Sequence, residues 1–163
     1  MIETGQSIPD LPTRLVSGGE IEETSTHTVL GDGCVVLFTV PGAFTPTCHQ
    51  QHLTSFVDNA SKLRAAGVDR IVCASVNDAH VLKAWAQASD ASDIAFLADG
   101  NAELAEATGL ARDMSTGGMG TRFTRAAMIL EDGVVKHLFV EEARGVTGSG
   151  AQAILIALEA ARA

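Results

Sequence analysis

Seven consecutive residues, Cys34-Val35-Val36-Leu37-Phe38-Thr39-Val40, put almost nothing polar on either side of an extended backbone. Successive side chains of a strand point to opposite faces, so an apolar run without alternation needs cover on both. Helices packed on the two faces of a sheet supply that cover. Ile71-Val72-Cys73-Ala74-Ser75-Val76 repeats the pattern, and a third strand is expected over about Ile94–Leu97. The stretches between them are helical in period. Leu53, Phe56, Val57, Ala60 and Leu63 share one face of a helix that ends at Gly67. Val81, Leu82 and Trp85 follow Asn77 or Asp78 as cap, and a helix from Ala102 to Thr108 stops at Gly109.

The ends of the chain complete the pattern. Pro9, Pro12 and Gly18-Gly19 divide the opening segment into short extended pieces joined by turns, and Gly31-Asp32-Gly33 is a further turn. Ala126–Leu130 and Val134–Val140 read as a hairpin closed by Glu131-Asp132-Gly133-Val134, and Ala151–Ala163 as a last helix. The order predicts an α/β fold with a mixed central β-sheet flanked by helices, which is also the order of the thioredoxin fold. With 163 residues, no repeat and no linker, a single domain over residues 1–163 is expected.

Charge excludes some partners. A net charge of −9 without a Lys/Arg stripe repels a polyanion, so no nucleic acid is expected. The N-terminus lacks a basic patch followed by an apolar run, and no stretch approaches the ~18 apolar residues of a membrane span. Three widely spaced cysteines, Cys34, Cys48 and Cys73, do not make a secreted disulfide framework. A reducing, cytoplasmic setting is expected, where a cysteine serves as core filler or as chemistry.

Cys48 stands out among the three. Pro41-Gly42-Ala43-Phe44-Thr45-Pro46-Thr47-Cys48 runs from a buried strand into a helix, and places the thiol in the first turn. Unpaired backbone N–H groups and the positive end of the helix dipole favour an anion there. Such surroundings lower a thiol from a pKa near ~8.5 to roughly 3.5–7.5, and the thiolate is the nucleophile.

The same residues resemble the Pro-x-x-x-Thr-x-x-Cys signature of peroxiredoxins, and with His52-Leu53 beyond it they are similar to the type II (peroxiredoxin V) subfamily. Ser75-Val76-Asn77-Asp78-Ala79, Leu82-Lys83-Ala84-Trp85 and Glu131-Asp132-Gly133-Val134-Val135-Lys136 agree. The resemblance implies a thioredoxin-fold thiol peroxidase without metal or cofactor. It implies that Cys48 attacks the peroxide bond and becomes a sulfenic acid. Thr45 would hydrogen-bond thiolate and peroxide, Pro41 would shield the site, and Arg125 would stabilise the thiolate and the leaving oxygen. Arg122 is the rival arginine, expected to be a supporting or a solvated residue. Backbone N–H groups near Thr47 and Cys48 would hold the second peroxide oxygen, and His52 would orient the loop or pack behind it. Hydrogen peroxide and small alkyl hydroperoxides are the implied substrates, and a homodimer built from loops near the site is the implied assembly.

Cys73 reads as core packing, with a redox partnership as the alternative, and Cys34 as filler at a strand start. The resolving cysteine of some type II relatives would fall near Thr147-Gly148-Ser149, where this chain has none. That favours one cysteine and an external thiol reductant, glutathione/glutaredoxin or thioredoxin. Cys48, His49 and His52 lack a second Cys/His pair at zinc spacing, so no metal is expected. His27, His80 and His137 read as surface or satisfied polar residues, and Gly117–Gly120 as a flexible connection. Two other readings use Cys48 as well: a redox switch without turnover, and a cysteine hydrolase that would need a general base beside it.

Overall fold

The structure is a computed structural model that describes residues 1–141, 146 and 148–162, with Cys48, His49, Gln50 and Arg162 described by their backbone alone. Among the described residues, seven strands form one sheet in the order β2-β1-β5-β4-β3-β8-β9. The three apolar runs become β3 (Cys34–Val40), β4 (Arg70–Ser75) and β5 (Ala95–Ala98). They lie side by side and parallel at its centre. β8 (Ala126–Glu131) and β9 (Val134–Val140) are added antiparallel beyond β3. Asp132 and Gly133 join them with φ of 49° and 80°, the left-handed pair of a tight hairpin turn. On the other side β1 (Pro12–Ser17) and β2 (Glu20–Ser25) make a hairpin that enters the sheet through β1 against β5.

Both faces of the centre are covered, as an unalternated run requires. Val36, Phe38 and Val40 face a core shared with Leu53, Phe56, Leu82, Trp85 and Ile154. Val35 and Leu37 face the opposite core with Leu30, Leu104, Leu110 and Phe123. The first layer comes from α2 (Thr54–Asp58), α3 (Ala60–Ala65), α4 (Ala79–Ala88) and α6 (Ala151–Arg162). The second comes from α1 (Thr26–Leu30) and α5 (Glu103–Ala107). None of these helices is long and apolar enough to cross a membrane.

Three details differ from expectation. The helix after the Cys48 loop is not uniform: a π-helical turn, Cys48–Leu53, precedes α2, and the backbone relaxes at Asn59 (φ −109°, ψ 8°) before α3. Leu53, Phe56, Ala60 and Leu63 stay buried across these irregularities, so burial of one face decides the path more than helix regularity does. α1 has no apolar period long enough to announce it; Ser25 starts it by accepting a hydrogen bond from the Thr28 N–H. Gly117–Gly120 lies in the connection of a small hairpin, β6 (Ala111–Asp113) with β7 (Thr121–Phe123), rather than in a patternless link. Strands of three residues are too short to show alternation.

Register explains where the site lies. Val40 pairs with Ser75, and Ser75 with Ala98, so all three parallel strands end together at one edge. Thr39 pairs with Ala126, which sets the residue before β8, Arg125, at that edge too.

Candidate active site

The loop leaving β3 is pinned from three directions. Asn77, just past the end of β4, accepts a hydrogen bond from the Ala43 N–H at 3.0 Å, and its Oδ1 also accepts one from the Ser75 hydroxyl. The Thr45 hydroxyl donates to the Gly42 carbonyl at 2.8 Å and turns the loop back on itself. With the proton committed there, the Thr45 oxygen offers lone pairs to a further donor. From the side, Arg122 donates Nη1 to the Pro41 carbonyl (3.2 Å) and Nε to the Met119 carbonyl (2.8 Å). A Cβ on Gly42 would lie 2.8 Å from that Nη1, so the absent side chain is what lets the guanidinium close on the loop. Phe44 has φ 63° and is half exposed, its ring 6.4 Å from that of Trp85.

Cys48 is the first residue of the π-turn. Wider turns of this kind inside helices recur at functional sites. The Cys48 side chain lies outside the described residues, as does all of Thr147. Thr47, with helical backbone and half-buried, makes no capping side-chain bond, and no acid stands in the first turn.

Behind the turn lies a buried polar chain. His52 is fully buried between Phe38 and Phe56, ring centroids 5.0 and 5.6 Å away. Its Nδ1 lies 3.0 Å from Arg125 Nη1, and its Nε2 lies 2.9 Å from the Ser149 carbonyl oxygen. A guanidinium only donates and a carbonyl only accepts, so the ring is neutral with its proton on Nε2. Burial accounts for most of that neutrality, and the Arg125 charge adds to it; together they outweigh the Ser149 carbonyl and Glu141 and bring His52 down to about 3. A neutral partner orients Arg125 without cancelling its charge.

The two arginines therefore differ in kind. Arg125 is buried (9% exposed) with a side-chain partner, whereas Arg122 is half-buried and braces backbone. Cys73 is wholly buried in the core that holds Phe38 and Phe56. Cys34 opens β3, at the opposite end of the strand from the loop. Among the described residues no three His, Cys, Asp or Glu side chains converge as a metal site. Sequence reading did not anticipate three partners: Asn77 as the loop's anchor, and Glu141 and Ser149 behind His52. Asn77 carried a signal, since it follows a buried strand at the functional edge; it is Asp78 that caps α4. Glu141 and Ser149 carried none, because their partners are distant in sequence.

A Redoxin family model matches residues 3–155. Peroxiredoxin-2E-2, chloroplastic, of Oryza sativa is 43% identical, over 96% of this chain and 72% of its own. The chain belongs to the peroxiredoxin family. Peroxiredoxin-2C of the same plant is 40% identical over 96% of this chain and 98% of its own. Reduced Prx3 from Vibrio vulnificus, in a crystal structure with hydrogen peroxide, superposes with a TM-score of 0.92 at 42% identity, covering 97% and 99% of the two chains. These likenesses place this peroxiredoxin in the type II, peroxiredoxin V-like group with a thioredoxin fold. Peroxiredoxins are thiol peroxidases, oxidoreductases that reduce a peroxide and are recycled by thiols, and that is the activity of this chain.

Proposed function

We propose that Cys48 is the peroxidatic cysteine, and that Thr45, Arg125 and the start of the helix form the peroxide site around it. The observation that carries this reading is the burial of Arg125 against His52 at the sheet edge where the Cys48 loop leaves β3. The thiolate attacks one peroxide oxygen, a S–O bond forms as the O–O bond breaks, and two electrons pass from sulfur. The leaving oxygen takes a proton and departs as water or an alcohol, and Cys48 is left as a sulfenic acid. The Thr45 oxygen accepts from the peroxide O–H, and N–H groups near Thr47 and Cys48 hold the second oxygen. Arg125 stabilises the thiolate and the charge that grows on the leaving oxygen. Pro41 screens the site from water, and Arg122 fixes Pro41 by its carbonyl.

The substrates are hydrogen peroxide and small alkyl hydroperoxides; the peroxide-bound Vibrio relative supports the first. Recycling uses an external thiol, glutathione/glutaredoxin or thioredoxin. One molecule of thiol condenses with the sulfenic acid to release water, and a second frees Cys48 as a thiol. Support for one cysteine comes from the other two. The remaining six residues of β3, roughly 20 Å of strand, separate Cys34 from the loop, far beyond the ~7 Å Cα limit of a disulfide. Cys73 would have to leave the core to pair. A homodimer is supported by the half-exposed Phe44 on the site loop, and a reducing, cytoplasmic location by the odd, widely spaced cysteines.

Intact mass after one equivalent of hydrogen peroxide tests the scheme. A gain of about 16 Da in the wild type, absent in Cys48→Ser, is expected. A loss of about 2 Da would move the mechanism to a disulfide with Cys73, and no change would remove Cys48 from the reaction. In the same assay Arg125→Ala slows oxidation by a factor on the order of a hundred or more.

A further inference from the structure

The hydrogen bonds behind Arg125 close into a ring. The Arg125 side chain donates to His52 Nδ1 at 3.0 Å, and His52 Nε2 donates to the Ser149 carbonyl at 2.9 Å. Ser149 then donates twice to one oxygen of Glu141, from its N–H (2.8 Å) and its hydroxyl (2.9 Å). The Glu141 N–H returns to the Arg125 carbonyl at 2.9 Å. Four residues from the start of β8, the end of β9, the approach to α6 and the π-turn are thus locked to one another. Ser149 and His52 are fully buried, so the bond between them, once broken, has no water to replace it, whereas Glu141 is half-buried. The approach to α6 is tied down separately, by the Ala151 N–H on the Ser55 hydroxyl at 2.9 Å.

We infer that Glu141 and Ser149 are positioning residues of the peroxidase reaction, acting through His52 to hold the Arg125 guanidinium in its working orientation. The inference rests on the role proposed for Arg125. A guanidinium has five donors in one rigid plane, so fixing one of them fixes the direction of the others. His52 can hold that plane only if its own ring is held, and the ring turns about an axis that the Ser149 carbonyl blocks. The Ser149 carbonyl is placed by the two donations to Glu141. Glu141 in turn follows directly on β9, which pairs with β8, and Arg125 directly precedes β8. Distances inside the ring are therefore tied to the pairing of β8 with β9.

The test is a set of variants of the full chain, read by the second-order rate of Cys48 oxidation by hydrogen peroxide and the pH midpoint of Cys48 alkylation. Glu141→Ala is expected to slow oxidation about tenfold and to raise the alkylation midpoint. Glu141→Gln, which keeps an oxygen acceptor for both Ser149 donors, is expected to restore most of the rate. Ser149→Ala, losing the hydroxyl donation alone, should fall between them. If the loss acts through Arg125, adding Glu141→Ala to Arg125→Ala produces no further slowing, because the orientation it protects no longer matters. Full activity and an unmoved midpoint in Glu141→Ala, with Arg125→Ala still impaired, overturn the inference and leave the role of Arg125 standing. Slowing of equal size in both backgrounds also overturns it, since the effect would then be general. An unimpaired Arg125→Ala overturns the proposed role of Arg125, and this inference with it. Should Glu141→Ala fail to fold, the Ser149→Ala and Glu141→Gln pair reads the same quantities.

Discussion

At the carboxyl edge of the sheet three parallel strands pass into helices, and the three junctions are built differently. After β4, the Asp78 carboxylate accepts from the Val81 N–H and closes the start of α4. After β5, Asp99 accepts from the Leu104 and Ala105 N–H groups at 3.0 and 2.9 Å and closes the start of α5. Burial pushes the Asp99 carboxyl up, although those two N–H groups pull the other way. After β3, residues 43–47 are Ala-Phe-Thr-Pro-Thr, with no acid to spend on the helix, and the Thr45 hydroxyl turns to Gly42 instead. Two helix starts are thus satisfied by the protein's own anions. At the third, no side chain caps the start of the π-turn and no acid stands in its first turn, which is what the proposed peroxide site requires.

The difference can be broken by pH, by adding a carboxylate, or by removing one. The largest effect comes from pH, because His52 lies one turn into the uncapped helix and protonation would add a second cation beside Arg125. With His52 held near 3 in the fold and close to 6.5 unfolded, the unfolded chain binds more protons between those values. Stability is therefore whole above about pH 6.5 and falls on acidification, by about 2 kcal/mol between pH 7 and pH 5. Urea unfolding of wild type and His52→Gln at both pH values checks this; parallel losses would mean that His52 is not the group responsible.

Next in size, Thr47→Asp gives the third junction a carboxylate like its neighbours. Competition for the same N–H groups should slow Cys48 oxidation about tenfold, on the order of 1.4 kcal/mol. An unaltered stopped-flow rate would show that those groups do not bind the reacting atoms. The smallest effect is expected from the converse change. Asp78→Ala opens a junction that has no chemistry, costs about 1 kcal/mol of stability in thermal unfolding, and keeps the peroxide rate.

How the site could be read from the chain depends on the distance between partners. Cys48, Thr45 and Pro41 stand within eight residues, between a strand and a helix that local pattern reveals, so their loop was legible at once. Arg125 was reached through the resemblance to peroxiredoxins rather than through any property of its own neighbourhood. Only register explains it, since Ala126 pairs with Thr39 and so brings the preceding residue to the loop. His52 was visible as part of the helix that follows Cys48, but its tautomer and neutrality come from Arg125 and Ser149, 73 and 97 residues away.

The sequence by itself determined the central strands, the turn at Asp132-Gly133, the apolar face of the helices and the loop that offers Cys48. Each follows from periodicity or from backbone preference over a few residues. Tertiary structure decided which arginine is buried, that Asn77 anchors the loop, that the helix widens into a π-turn from Cys48, and that Glu141 and Ser149 close a ring behind the site. Those features depend on hydrogen bonds between segments far apart in the chain. Such bonds acquire their worth only when folding has removed the water that would otherwise compete for them.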